Sequence, residues 1–420
     1  MNITKLISNP SIWNLFFKFL TMGAKLLLST FVLVFISTED FGIYVIIAKT
    51  LTIAIILLGF DFYTYSQRDI LQGDTHEQGN KIRDQFVFYF INYLIFLPLF
   101  YLLFVFERVS IEYIFWFYAL LVLDHLSQEI YRILLVFKRP IVASALFFIK
   151  VGVWILPLFA LWMLGYDNLK NIKSILMFWT AFELLSIFFG LLFIKKLPFT
   201  INFTKEVNWD WVKKGVIICF PFFIGTIASN VIEFADIYMI KAHFGKNGDF
   251  QNGIYGFFVN MGNIVQMFVQ SAILIVFAPK LIESFSEDKT KYNKLHMQMT
   301  KQNIFASFLF AIVVFVFIYP LIKFLGKTEI ESHYSLIFIL VGAKVLFNIS
   351  MIYHYHLYVR HYDKKIMITM IIAAIVNVVL NIFLIPIYGI YGAAYATLAS
   401  FILILILKFI FAQKILKKEN

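Results

Sequence analysis

The sequence predicts an all-α polytopic membrane protein, with about 12 transmembrane helices in two pseudo-symmetric six-helix bundles around a central cavity. Three observations lead there. The 420 residues are 61% hydrophobic and only 15% charged, against ~45–50% and ~25% in ordinary globular chains. The apolar residues fall into about twelve segments, each near the ~20 residues needed to cross a bilayer. Finally, Gly253-Ile254-Tyr255 repeats Gly42-Ile43-Tyr44 about half a chain length away, with flanking apolar segments of matching length and order.

The segments run, in order, over 12–36, 41–66, 86–106, 111–136, 141–164 and 172–194, then 212–241, 252–278, 302–324, 333–359, 365–386 and 389–412. The first is interrupted by Lys18 and Lys25 but is too long, and lacks the small-residue cleavage site, for a signal peptide. The fifth opens on Pro140, an ordinary first-turn position. Pro98, Pro157, Pro221, Pro320 and Pro386 lie within or near helix ends, where membrane helices tolerate them as kinks. The longest connections are expected at 67–85 and 279–301, with 195–211 joining the halves. These limits give two domains, 1–205 and 206–420, each a six-helix bundle. With an even helix number per half, the repeats are parallel, a layout found in transporters with a site between the halves.

Lys and Arg crowd alternate loops, among them Arg68, Lys81, Arg83, Lys138, Arg139, Lys195, Lys196, Lys289, Lys291, Lys294, Lys364 and Lys365, and the tail Lys414 and Lys417. The positive-inside rule then places these loops and both termini in the cytoplasm. The net charge of +11 follows from the same bias, so nucleic acid is not expected as a partner. A single cysteine, Cys219, allows no internal disulfide.

Charges at membrane depth are the functional candidates by default. On helix 7, Thr226, Ser229, Glu233 and Asp236 share one face at i, i+3, i+7 and i+10. The repeat register sets Asp236 opposite Lys25 and Ser229 opposite Lys18, so helix 1 carries a cationic stripe where helix 7 carries an acidic one. Lys25 and Asp236 are expected to approach and separate as the halves rock. The remaining groups are Lys49 and Asp61 on helix 2, Asp124, Glu129 and Arg132 on helix 4, Lys150 on helix 5, Glu183 on helix 6 and Lys344 on helix 10. Either they line a polar cavity for an anionic or sugar-rich ligand, or they pair between helices, Asp124 with Arg132 or with a neighbouring lysine. Lys18, Lys25, Lys49, Lys150 and Lys344 are assigned to substrate, and Glu233, Asp236, Asp61 and Asp124 to coupling or gating. Tyr238 and Tyr255 are candidate sugar contacts.

No catalytic residues, cofactor or metal site are expected. The His354 and His356 pair in Tyr353–Tyr358 points to different helix faces. The GKNG loop at 245–248 lacks the strand and the Lys-Ser/Thr of a phosphate-binding loop. With no ATPase motif, the energy source is an ion gradient or the substrate's own gradient.

Four stretches carry a family resemblance. They are STEDFGIYVIIAKTLTIAIILLGFDFYTYSQRD, closing on Arg68; FADIYMIKAHFGKNGDFQNGIYGFFVNMGNIVQ, with Asp236 and Gly253-Ile254-Tyr255; FAPKL, with Pro279; and NVVLNIFLIPIYGIYGAAYATLAS, with Asn377, Asn381, Pro386, Gly389, Gly392 and Ala393. In order and spacing the chain resembles the polysaccharide-exporting branch of the multidrug/oligosaccharidyl-lipid/polysaccharide (MOP) exporter superfamily, in particular Wzx-type O-antigen flippases. The resemblance implies an undecaprenyl-pyrophosphate-linked oligosaccharide moved from the cytoplasmic to the outer leaflet by alternating access, for O-antigen or another surface polysaccharide. It implies membrane lipid, a polysaccharide polymerase and chain-length proteins as partners, and H⁺ or Na⁺ as a coupling ion. A cationic lumen suits the diphosphate; the acidic helix 7 departs from that pattern. An ion-coupled drug or metabolite antiporter of the related multidrug-extrusion family is the alternative. A membrane polymerase or ligase would carry a large outer loop, and every outer loop here is short.

Overall fold

The computed structural model describes residues 10–70 and 75–419. All regular structure in it is helical. The apolar segments read from the sequence are built of helices, some of them interrupted: α1 (Pro10–Phe35), α2 (Thr38–Gly59), α3 (Tyr63–Ile70), α4 (Thr75–Phe100), α5 (Leu102–Val105), α6 (Ile114–Val136), α7 (Pro140–Phe148), α8 (Ile155–Met163) and α9 (Ile172–Ile194). Then follow α10 (Trp209–Phe244), α11 (Gly248–Val269), α12 (Ile275–Glu287), α13 (Lys289–Leu325), α14 (Thr328–Glu331), α15 (Leu336–Tyr358), α16 (Asp363–Tyr388) and α17 (Ile390–Glu419). Among the described residues, nine stretches are long and apolar enough to cross a membrane. One of them, 209–285, contains both α10 and α11–α12. α6 has spanning length too, but Asp124, Glu129 and Arg132 lower its apolarity. The protein is a multi-pass membrane protein.

Three expected features differ. The expected 67–85 connection is helical over its described part, with α3 running to Ile70 and α4 starting at Thr75. The second apolar segment is broken at Phe60–Asp61, both with positive φ (53° and 48°), before α3 begins. A short polar side chain such as that of Asp61 tolerates that region; an aromatic does so only when neighbours hold it. Here Phe60 stacks on Phe223 at 4.1 Å between ring centroids. The expected 279–301 loop is instead almost wholly helical, because α12 and α13 run beyond the apolar core with charged residues on them. Asp288 separates the two and caps α13, its side chain accepting from the Thr290 amide at 2.7 Å. Gly326, at φ 65°, closes α13 in the left-handed conformation.

The helices gather into two compact units. One comprises Met1–Ser37 and Ile46–Phe223; the other Thr38–Val45 and Ile224–Asn420. α2 and α10 each contribute residues to both.

Within the second unit the repeated tripeptides meet. A Cβ on Gly42 would lie 1.7 Å from the Asp249 carbonyl oxygen, and one on Gly253 would lie 2.0 Å from the Thr38 carbonyl oxygen. The start of α2 therefore packs backbone-to-backbone on the start of α11, a closeness that small residues give to membrane helices. Gly42→Ala and Gly253→Ala should each destabilise the protein by about 1–3 kcal/mol, since the obstructing atoms are backbone and cannot swing away. Thermal unfolding in detergent checks this, and unchanged melting temperatures would refute the contact.

Candidate functional site

The second unit holds a buried carboxylate whose hydrogen-bond donors among the described residues are all neutral. Asp236 is 1% exposed and lies in the C-terminal half of α10. Its Oδ2 accepts from the Tyr255 hydroxyl at 2.5 Å and the Thr397 hydroxyl at 2.6 Å. Its Oδ1 accepts from the Asn381 amide at 2.7 Å. Asn381 also donates to the Asn377 amide oxygen, one helical turn away on α16, at 3.1 Å. The Asn381 Oδ1 and Asn377 Nδ2 atoms are buried without a partner among the described residues. Three other helices thus converge on one acid: α11 brings Tyr255, α16 the two asparagines and α17 the threonine. Burying a lone carboxylate is costly unless it is richly hydrogen-bonded, and this one is. The same groups are hard oxygen donors once the amides turn, which suits a monovalent cation; protonation of the acid is the other way to neutralise it.

Glu233, one turn before, pairs with Lys344 of α15 at 3.2 Å. The Lys344 ammonium also donates to Gln266 of α11 at 2.8 Å and lies 5.2 Å from the Phe401 ring centroid. A cavity of about 10 Å³ is lined by both acids, Tyr255, Lys344 and Thr397. The helix-7 stripe read from the sequence is therefore split: Glu233 faces a cation and Asp236 faces neutral donors. Tyr255 is 1% exposed and its hydroxyl is committed to Asp236; it is not placed as a sugar contact.

The first unit carries a denser network. Lys150 forms an ion pair with Asp124, donates to the Ser127 hydroxyl at 2.8 Å, and has a Glu183 oxygen at 3.7 Å. Ser127 in turn donates to Glu183 at 2.8 Å. Lys150 sits in a π turn, Ile149–Val153, that interrupts the helix between α7 and α8; such turns re-aim a side chain and recur at functional sites. Arg132 pairs with Glu129 and lies 3.7 Å over the Tyr63 ring. Glu129 also accepts from Gln85 at 2.8 Å and Tyr89 at 3.1 Å. A cavity of about 130 Å³ opens beside this network, lined by Thr52, Gly59, Asp61, Asp124, Gln128 and Arg132. Of the two pairings open for Asp124, the lysine holds and Arg132 takes Glu129 instead.

Lys25 stands apart. It is exposed near the middle of α1, 5.7 Å from the Phe147 ring centroid, with no carboxylate within 4 Å among the described residues. Lys49 is partly buried on α2. The Lys18 side chain falls outside the described residues. Of the expected substrate lysines, then, Lys150 and Lys344 are engaged by acids and Lys25 is not.

Several residues here were not singled out from sequence. Gln85, Tyr89 and Gln266 are ordinary polar residues in apolar runs. Thr397 is too. Lys408 is 2% exposed on α17 with its ammonium 5.8 Å from the Phe347 ring centroid; the tail lysines beyond it hide it in the sequence. His356 lies within hydrogen-bond distance of the Tyr292 hydroxyl at 3.0 Å, and His354 stacks on Tyr358, so the two histidines do turn apart.

Neither a family model nor a curated protein sequence matches the chain. Solved structures do. An inward-facing multidrug resistance MATE family transporter of the MOP superfamily matches with a TM-score of 0.73 at 14% identity, over 95% of this chain and 98% of that one. The lipid II flippase MurJ in an inward closed conformation matches at 0.70 and 16%, over 96% and 87%. The MATE multidrug transporter DinF-BH matches at 0.68 and 16%, over 98% and 95%. The chain shares the fold of these transport proteins. That fold is all-α and multi-pass, as the apolar segments predict.

Proposed function

We propose that the chain is a lipid-linked oligosaccharide flippase, moving undecaprenyl-pyrophosphate-linked glycan units from the cytoplasmic to the outer leaflet for surface polysaccharide synthesis. The observation that carries an anionic substrate is Lys25: a lysine midway along an apolar helix, beside Lys150 and with no carboxylate within 4 Å among the described residues. Such a charge cannot face hydrocarbon cheaply and must meet water or an anion. In this reading the N-terminal (1–205) and C-terminal (206–420) bundles rock about a central cavity, both termini are cytoplasmic, and the diphosphate is drawn in by Lys18, Lys25 and Lys49. Lysine suits that task as a point charge. Lys150 and Lys344 join only if their acids let go. Asp236, with Asn381 and Thr397, takes the coupling H⁺ or Na⁺.

The test is a deletion strain. Complete lipid-linked repeat units should accumulate on the cytoplasmic leaflet, with surface polymer lost. Units reaching the outer leaflet unpolymerised would sink the proposal. Complementation with Lys25→Met should restore about a tenth of the wild-type polymer or less, while Lys25→Arg restores most of it, if charge is what matters. The second reading, an ion-coupled drug antiporter, is favoured by the Asp236 cluster and by the two multidrug transporters of the same fold. Normal polymer with raised sensitivity to cationic drugs would select it.

A further inference from the structure

We propose that the interface of α13 and α15 holds a file of water molecules running from the basic-loop face of the protein to the Lys344–Glu233 pair, and that protons reach Glu233 along it. The proposal rests on the coupling role given above to the Glu233 and Asp236 region, and adds the route.

The two helices pack against each other, and each carries a polar row on the face they share. On α15 the row runs through Lys344, Asn348, the Ile352 carbonyl and His356, spaced by four, which is a single ridge of a helix. On α13 it is Tyr292, His296, Asn303 and Ser307, again on one face. The rows are keyed at the basic end. His296 Nε2 lies 3.0 Å from the Ile352 carbonyl oxygen, the His296 and His356 ring centroids are 3.8 Å apart, and Arg360 donates to Tyr292 at 3.3 Å. From that level the helices run antiparallel, at about 1.5 Å per residue. Asn348 then lies about 6 Å deeper, Asn303 about 10 Å, Lys344 about 12 Å and Ser307 about 16 Å. Successive polar groups are thus separated by one or two water diameters.

The decisive feature is what these groups lack. Asn303 is 0% exposed and neither its Nδ2 nor its Oδ1 has a partner among the described residues; the same holds for Ser307 Oγ and Asn348 Nδ2. A buried amide with no partner costs several hydrogen bonds' worth of free energy, so native structures satisfy such groups with ordered water. No charge sits among the three, which excludes an ion pair as their purpose. A purely structural polar seam would close on itself; this one is open at Asn348, Asn303 and Ser307. Between the levels of Asn303 and Ser307 it meets an ammonium already bonded to Glu233 and Gln266.

Accessibility to Ag⁺, an ion close to water in size, tests the file without needing any substrate. In a Cys219→Ser background, Ser307→Cys should be blocked by Ag⁺ applied at the basic-loop face of oriented vesicles. Phe308→Cys, one residue on and 53% exposed at the apolar surface, should react at least about tenfold more slowly, because a thiol in hydrocarbon stays protonated. Adding Asn303→Leu should slow Ser307→Cys to the Phe308→Cys rate. Equal slow rates at both positions, or a Ser307→Cys reaction indifferent to Asn303→Leu, would overturn the proposal. Because the readout is chemical labelling, a chain that labels as expected but moves no glycan would refute the flippase reading and leave the file standing.

Discussion

Asp236→Asn should abolish transport while leaving the protein folded. The amide has the carboxylate's shape, so packing around it survives. Its chemistry does not. Tyr255, Asn381 and Thr397 all donate to the carboxylate, and an asparagine can accept from only one side. Each charge-assisted bond contributes roughly 1.5–3 kcal/mol. The variant also removes the negative charge that a coupling ion would face, and about 3 kcal/mol lost there corresponds to about a hundredfold in its occupancy. Stability should move the other way or not at all, since replacing a buried charge by a neutral group is often neutral or stabilising. That opposition separates the two roles open to Asp236. If it only holds α10 to α16 and α17, the variant melts earlier and keeps its turnover per folded molecule. If it carries the ion, the variant melts no earlier and turns over at least about a hundredfold more slowly. Wild-type transport by Asp236→Asn would end the coupling assignment. Thr397→Val, which removes one donor and keeps the charge, should cost about tenfold.

The existence of the helices was legible because spanning segments are long apolar runs, and hydrocarbon admits little else. Their ends were not. The 279–301 stretch reads as a loop by its charge, yet Asp288 supplies the cap that lets α13 begin there. The positive φ at Phe60 and Asp61 depends on Phe223, far away in sequence. The site divides similarly. Acids and lysines in apolar runs announce themselves, so Asp236, Asp124, Lys150 and Lys344 stood out. Their partnership did not: Asn381 is legible only as part of a family-like stretch, Thr397 is a neutral residue that any membrane helix tolerates, and pairing depends on which faces meet. The π turn that aims Lys150 leaves no mark in composition. Lys408 was lost among the lysines of the tail that follows it.

Lys150→Met is the substitution expected to damage the fold most. Lys150 is the cation between Asp124 and Glu183. Lys150 and Glu183 are 4% and 1% exposed, and Asp124 is partly buried. Methionine fills about the same volume, so the cost is electrostatic. Two acids are left facing one another, with the Ser127 hydroxyl and the Trp179 indole N–H as neutral donors to Glu183. Breaking a buried pair from one side costs about 3–5 kcal/mol, enough to remove a large share of the roughly 5–15 kcal/mol that holds a typical protein together. Removing the acids as well should reverse most of it: Lys150→Met with Asp124→Asn and Glu183→Gln leaves no uncompensated charge. Unfolding by SDS titration in mixed micelles would measure both. The single variant should unfold at distinctly lower SDS and the triple variant near wild type. If the triple variant is as unstable as the single one, Lys150 contributes packing rather than charge. If the triple variant folds well yet fails to complement a deletion strain, the network is retained for transport, and the 130 Å³ cavity beside Asp124 is where that requirement resides.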